Sequence, residues 1–110
     1  MIVCTVRLLV SQTDRRQIIT SLIPLIGWTR VQPGCRACHL LTDLEEPRAI
    51  VVMEEWDTRD DLDRHLRSKD YRRLLAAIEL SQEAPEIHFD SVETRGGVEV
   101  IDAVRMPGTP

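Results

Sequence analysis

Every second residue from Ile2 to Val10 is apolar (Ile2, Cys4, Val6, Leu8, Val10), while the intervening set, Val3, Thr5, Arg7 and Leu9, is mixed. Side chains alternate across a strand, so this segment reads as a β-strand with one wholly covered face. Its near-continuous, β-branched character is that of a central strand. Helices are therefore expected on the even-numbered side, with Arg7 pointing the other way.

Ser11-Gln12-Thr13-Asp14 supplies an N-cap hydroxyl with an acidic residue three positions on, the start of a helix whose stripe is Ile18, Ile19, Leu22, Ile23 and Ile26. Pro24 is expected to kink or shorten this helix, and Gly27 to help it stop. Pro33-Gly34 marks a turn, Cys35 to Asp43 a second strand, and Leu44-Glu45-Glu46-Pro47 a loop. In the third strand, Ala49 to Trp56, Ile50, Val52, Glu54 and Trp56 share one face; Ala49, Val51, Met53 and Glu55 share the other. The short loop makes strands two and three an antiparallel hairpin.

Thr58 to Asp61 repeats the capping pattern before Leu62, His65 and Leu66, which places an imidazole on the apolar side of a short helix. Ser68 reads as a second cap and Tyr71, Leu74, Leu75 and Ile78 as a second stripe, so the region is one bent helix or two short ones ending at Pro85. Glu86 to Val92 alternates as a fourth strand. After Gly96-Gly97, Val98 to Val104 is read as a fifth short strand, which completes a single domain over 1–104 and leaves 105–110 as a frayed tail.

The order is the split β-α-β-β-α-β of a ferredoxin-like α+β fold with an antiparallel sheet. Its helices cover one sheet face only. The face carrying Val3 and Leu9 is expected to pack on a second copy, giving a homodimer.

At 110 residues the chain has room for one core, and 43% hydrophobic with 29% charged residues is ordinary for a globular protein without a membrane span. A net charge of -4 with mixed signs lacks the basic stripe that nucleic-acid binding uses. The N-terminal run carries Arg7 and no small-residue cleavage site, so a signal peptide is not expected and the location is taken as cytoplasmic. Three cysteines, an odd number, would remain thiols there.

The run Pro33-Gly34-Cys35, the acidic loop Asp43 to Pro47, and Glu54-Glu55-Trp56 followed by Leu62, His65-Leu66 and Ser68 resemble the antibiotic biosynthesis monooxygenase (ABM) domain family over residues 1 to 93. The resemblance implies ferredoxin-like subunits paired into a dimeric α/β barrel, with a small-molecule pocket between sheet and helices. It also implies cofactor-independent oxidation of quinols or polyketide phenols in some members. Haem-degrading relatives of the fold use Asn, Trp and His at the positions aligned with Val6, His65 and Leu75, none of which matches here.

Cys35-Arg36-Ala37-Cys38-His39 spells the CxxCH pattern of covalent haem attachment. A regular strand would send Cys35 and Cys38 to opposite faces, so neither haem nor metal is expected. No phosphate loop, dinucleotide fingerprint or nucleophile elbow is present, and no cofactor is expected.

His65 is the candidate base, since imidazole titrates near ~6.5; the alternative is a packing histidine bonded to a carboxylate such as Glu54. Trp56 either anchors the strand end or walls an aromatic pocket. The catalytic set is thus His65, Glu54 and Trp56, with Val6, Leu8, Val52, Leu66 and Tyr71 expected to contact substrate. The reading is a monooxygenase that deprotonates a small hydroquinone or polyphenol, whose anion then reduces dioxygen. A non-catalytic binding or structural module, or an isomerase or lyase in the same pocket, stays open.

Overall fold

In the computed structural model, which describes residues 1–106, the alternating N-terminal segment becomes β1 (Ile2–Leu9), an inner strand. It is followed by α1 (Gln12–Arg30), β2 (Cys35–Thr42), β3 (Ala49–Trp56), α2 (Arg59–Arg67), α3 (Arg72–Glu79), β4 (Glu86–Ser91) and α4 (Val98–Arg105). The sheet order is β2-β3-β1-β4 with every neighbour antiparallel, the ferredoxin-like α+β arrangement. Among the described residues, no helix is long and apolar enough to cross a membrane.

The even-numbered face of β1 is the helix-covered one. Val6, Leu8 and Val10 pack with Ile18, Leu22, Leu25 and Ile26 of α1, Ile50 and Val52 of β3, and Leu74 and Ala77 of α3. Each such aliphatic side chain contributes about 1.5–3 kcal/mol by leaving water. On the opposite face Val3, Thr5, Arg7, Leu9, Val51, Met53 and Glu55 are only half-buried. Arg7 pairs there with Asp43 at 3.2 Å, and Arg95 with Glu55 at 2.8 Å. Asp43 leaves β2 because its carboxylate also accepts from the Glu45 amide at 2.8 Å, closing a local turn.

Three expectations are corrected. First, α1 runs unbroken past Pro24 and Gly27 to Arg30. The carbonyl that Pro24 leaves without a donor is that of Thr20, and Thr20, Ile23 and Pro24 are all exposed, so water replaces the lost partner. Beyond it Leu25, Ile26 and Thr29 are buried, which offsets the roughly 3 kcal/mol that an internal proline costs.

Second, β2 is not regular: Cys35 stands opposite Trp56, Ala37 opposite Glu55 and Cys38 opposite Glu54. Arg36 is the extra residue of a bulge, so Cys35 and Cys38 share the helix-facing side and His39 turns to the other. Third, 98–104 is helical rather than a strand. Val100, Ile101 and Val104 also fit a helical stripe, Glu99 accepts from the Gly97 amide at 2.7 Å, and Arg105 complements the C-terminal end. Arg105 closes α4, whereas the rest of the expected tail, 107–110, lies outside the described residues.

The turn into β2 is type II: the Cys35 amide donates to the Gln32 carbonyl at 3.1 Å, Pro33 precedes, and Gly34 takes φ 83°. A Cβ on Gly34 would strike the Asp61 carboxylate, so this turn sits directly against α2. The helical region after β3 is two short helices. Thr58 caps α2 by accepting from the Asp61 amide. Ser68 Oγ donates to the His65 carbonyl at 2.7 Å and accepts from the Tyr71 amide at 3.3 Å, bending the chain between α2 and α3.

Candidate functional site

The pleat of β3 places Glu54 and Trp56 on the helix side, and the bend at Ser68 holds His65 above them in the last turn of α2. All three side chains are buried. Trp56 Nε1 donates to Glu54 Oε1 at 2.8 Å, and His65 Nε2 lies 3.1 Å from Oε1 and 3.2 Å from Oε2. An indole can only donate and a carboxylate can only accept, so Nε2 is the nitrogen that carries hydrogen toward Glu54. His65 Nδ1 is buried without a hydrogen-bond partner among the described residues. In the neutral ring it is therefore a free lone pair held in one orientation.

Aromatic rings enclose that imidazole. Trp56 lies 4.8 Å from it and Trp28 6.1 Å, each tilted by 31°, while Tyr71 meets it edge-on at 5.0 Å. Cys4 and Cys38 flank Glu54 in register on the neighbouring strands. Burial, and then the Glu54 charge, pushes both thiols up to about 12. The same two causes raise the Tyr71 hydroxyl, which keeps its proton and can serve as a donor.

A cavity of about 270 Å³ opens beside His65. Trp28 and Trp56 wall it, and Gln32, Asp61, Arg64, Arg67 and Ser68 complete its lining. A larger hollow of about 360 Å³ lies over Asp14, Ile18, Arg73 and Ala77, but it contains no buried unpartnered polar group among the described residues. Chemistry needs such a group, which singles out the smaller cavity.

Of the residues expected at the site, His65, Glu54 and Trp56 come together. Tyr71 backs the imidazole and Leu66 is half-buried against the core, and neither lines the cavity. Val6, Leu8 and Val52 are 0–3% exposed in the closed core and do not line the cavity. Sequence reasoning missed Trp28, Gln32, Arg64 and Arg67, and saw Ser68 only as a cap. Trp28 and Gln32 continue the α1 stripe from Leu22 and Leu25, a periodicity that the assumed stop at Pro24 and Gly27 concealed. Among the described residues no three His, Cys, Asp or Glu side chains gather as metal ligands. In the CxxCH run, His39 faces away from both thiols.

Several solved structures share this fold. One is described as an antibiotic biosynthesis monooxygenase (TM-score 0.76, 21% identity, covering 86% of this chain and 100% of that one). Another is a conserved protein from Methanosarcina mazei Go1 (TM-score 0.76, 22% identity, covering 84% and 92%). A third is Rv0793 from Mycobacterium tuberculosis (TM-score 0.78, 21% identity, covering 87% and 98%). No protein of curated function matches the chain. The sequence profile for antibiotic biosynthesis monooxygenase matches residues 1–77, from β1 through most of α3, a span that includes Glu54, Trp56 and His65. With both the profile and the fold in agreement, this chain belongs to the antibiotic biosynthesis monooxygenase family.

Proposed function

We propose that the chain is a cofactor-independent monooxygenase that oxidises a small hydroquinone or polyphenol with dioxygen at the His65 cavity. The observation that carries this reading is the unpartnered Nδ1 of a buried imidazole whose other nitrogen is held by Glu54. Nδ1 takes the phenolic proton, and the electron-rich ring carbon reduces dioxygen to a ring hydroperoxide. Loss of water breaks the O–O bond and leaves a carbonyl. Overall, hydroquinone and dioxygen give hydroxyquinone and water, one oxygen atom entering the ring and the other leaving with two hydrogens. Trp28 and Trp56 exclude water from the ring, and the Tyr71 ring packs edge-on against the imidazole and holds its orientation.

The cavity volume is near the lower end of small-molecule sites, which begin at about 300 Å³, and an apolar cavity of about 150 Å³ holds benzene. A single substituted ring fits. The protein is proposed to work as a homodimer in the cytoplasm, its half-exposed sheet face covered by the same face of a second copy. Oxygen uptake with a panel of hydroquinones tests the reaction: uptake above an enzyme-free control, lost in His65→Ala, is expected. No uptake in wild type refutes the oxygenase reading and leaves a binding module or an isomerase.

A further inference from the structure

We infer that the cavity beside His65 selects aromatic acids, taking the ring between the tryptophans, a ring hydroxyl at His65 Nδ1 and a carboxylate at Arg67. This inference deepens the proposed function by naming the substrate class of the same site.

The residues lining the cavity leave one cation over, and the Glu54 carboxylate is buried outside that lining, where it accepts from Trp56 and His65. Asp61 is its only carboxylate, and it is already engaged by Arg64 at 3.1 Å and by the Thr58 hydroxyl at 2.8 Å. Arg67 forms no ion pair among the described residues and is left as a surplus cation at the rim. The C-terminal end of α2 opposes an anion with a partial negative charge. One of its carbonyls, that of His65, is already occupied by the Ser68 amide at 3.1 Å and the Ser68 hydroxyl at 2.7 Å. The full charge on Arg67 therefore outweighs what remains of the helix end. A guanidinium fork meets a planar carboxylate with two parallel hydrogen bonds, which a neutral amide cannot reproduce.

The inner end of the cavity imposes a second requirement. His65 is 3% exposed, so its Nδ1 must find a ligand hydroxyl or remain unpaired. Two indoles on the cavity wall favour an aromatic group between the two polar ends. A hydroxybenzoate skeleton meets all three conditions in one small molecule.

The chain has only two tryptophans, and both wall this cavity, so intrinsic fluorescence excited at the red edge of the band reports occupancy directly. The probes are 4-hydroxybenzoate and its neutral isostere 4-hydroxybenzamide, titrated at low and at moderate salt. The acid is expected to bind about tenfold more tightly than the amide, with the preference shrinking as salt rises. Arg67→Gln should abolish the preference and leave amide affinity unchanged. Arg67 is exposed, and circular dichroism verifies that this variant folds. Equal affinities in wild type, a preference that survives Arg67→Gln, or no binding of either probe each overturns the inference. Oxygen uptake separates it from the reaction. Uptake with neutral hydroquinones and no acid preference refutes this inference alone, whereas acid preference without uptake refutes the monooxygenase reading alone.

Discussion

Glu54 is the position at which stability and chemistry can be pulled apart. Its carboxylate is the acceptor for two buried donors, Trp56 Nε1 and His65 Nε2. Glu54→Ala leaves both without a partner in a region that water does not reach. Each unpaired buried donor costs about 1–3 kcal/mol, so the two together cost about 2–6 kcal/mol. Against a native stability of about 5–15 kcal/mol, that loss is large. Glu54→Gln keeps the volume and an oxygen for Trp56 but turns an N–H toward His65 Nε2. A hydrogen bond from that N–H favours the tautomer that accepts at Nε2 and carries its hydrogen on Nδ1, the atom proposed as base. Stability should fall by only about 1 kcal/mol, whereas turnover should fall about 10²–10⁴-fold, as when a positioning carboxylate becomes an amide elsewhere. Urea unfolding followed by tryptophan fluorescence measures the first quantity, and imidazole nitrogen NMR identifies the tautomer. If Glu54→Ala unfolds within 1 kcal/mol of wild type, or the Gln variant keeps its hydrogen on Nε2, the buried Glu54–His65 pair does not exist as described.

Three further outcomes follow from the packing. Gly27 lies inside the last turn of α1 with open space where a Cβ would stand, so Gly27→Ala should stabilise by about 0.5–1 kcal/mol in thermal melts; a lower melting temperature would contradict the continuous helix. Unfolded thiols ionise near ~8.5, whereas Cys4 and Cys38 in the fold stay protonated up to about 12. Between these limits the unfolded chain binds fewer protons, so stability is complete below pH ~8.5 and declines as pH rises toward 12. Replacing both cysteines by alanine should flatten that decline, and an unchanged slope would argue against buried thiols. Val51→Asp places a charge on the half-exposed sheet face and should shift sedimentation from dimer to monomer. A wild-type monomer at micromolar concentration would remove the dimer altogether.

The strands and caps were legible because they are written in local periods. β3 occupies the span its alternation marked, and Ser11 and Thr58 accept from the amides three residues on, as their capping patterns required. The Glu54, Trp56 and His65 cluster was legible for the same reason. A period of two puts the first two on one face, and the helical stripe turns His65 toward them. Trp28 was lost to a local rule about proline, and Val6, Leu8 and Val52 were assigned to a pocket because apolar residues look alike whether they line a cavity or fill a core.

By itself, then, the sequence determined the order of elements from β1 to β4, the sheet face that meets the helices, and the faces on which Glu54 and His65 lie. Each of these depends on neighbours only a few residues away. Tertiary structure decided the rest. Pro24 is tolerated because its side of α1 meets solvent, a fact set by how the whole helix lies on the sheet. The bulge at Arg36 brings Cys35 and Cys38 to one face through the register with β3. Residues 98–105 carry both periods, and they settled as helix α4. Trp28 comes from α1, His65 and Arg67 from the last turn of α2, and they share a cavity only because the long α1 and the bend at Ser68 converge on the same end of the sheet.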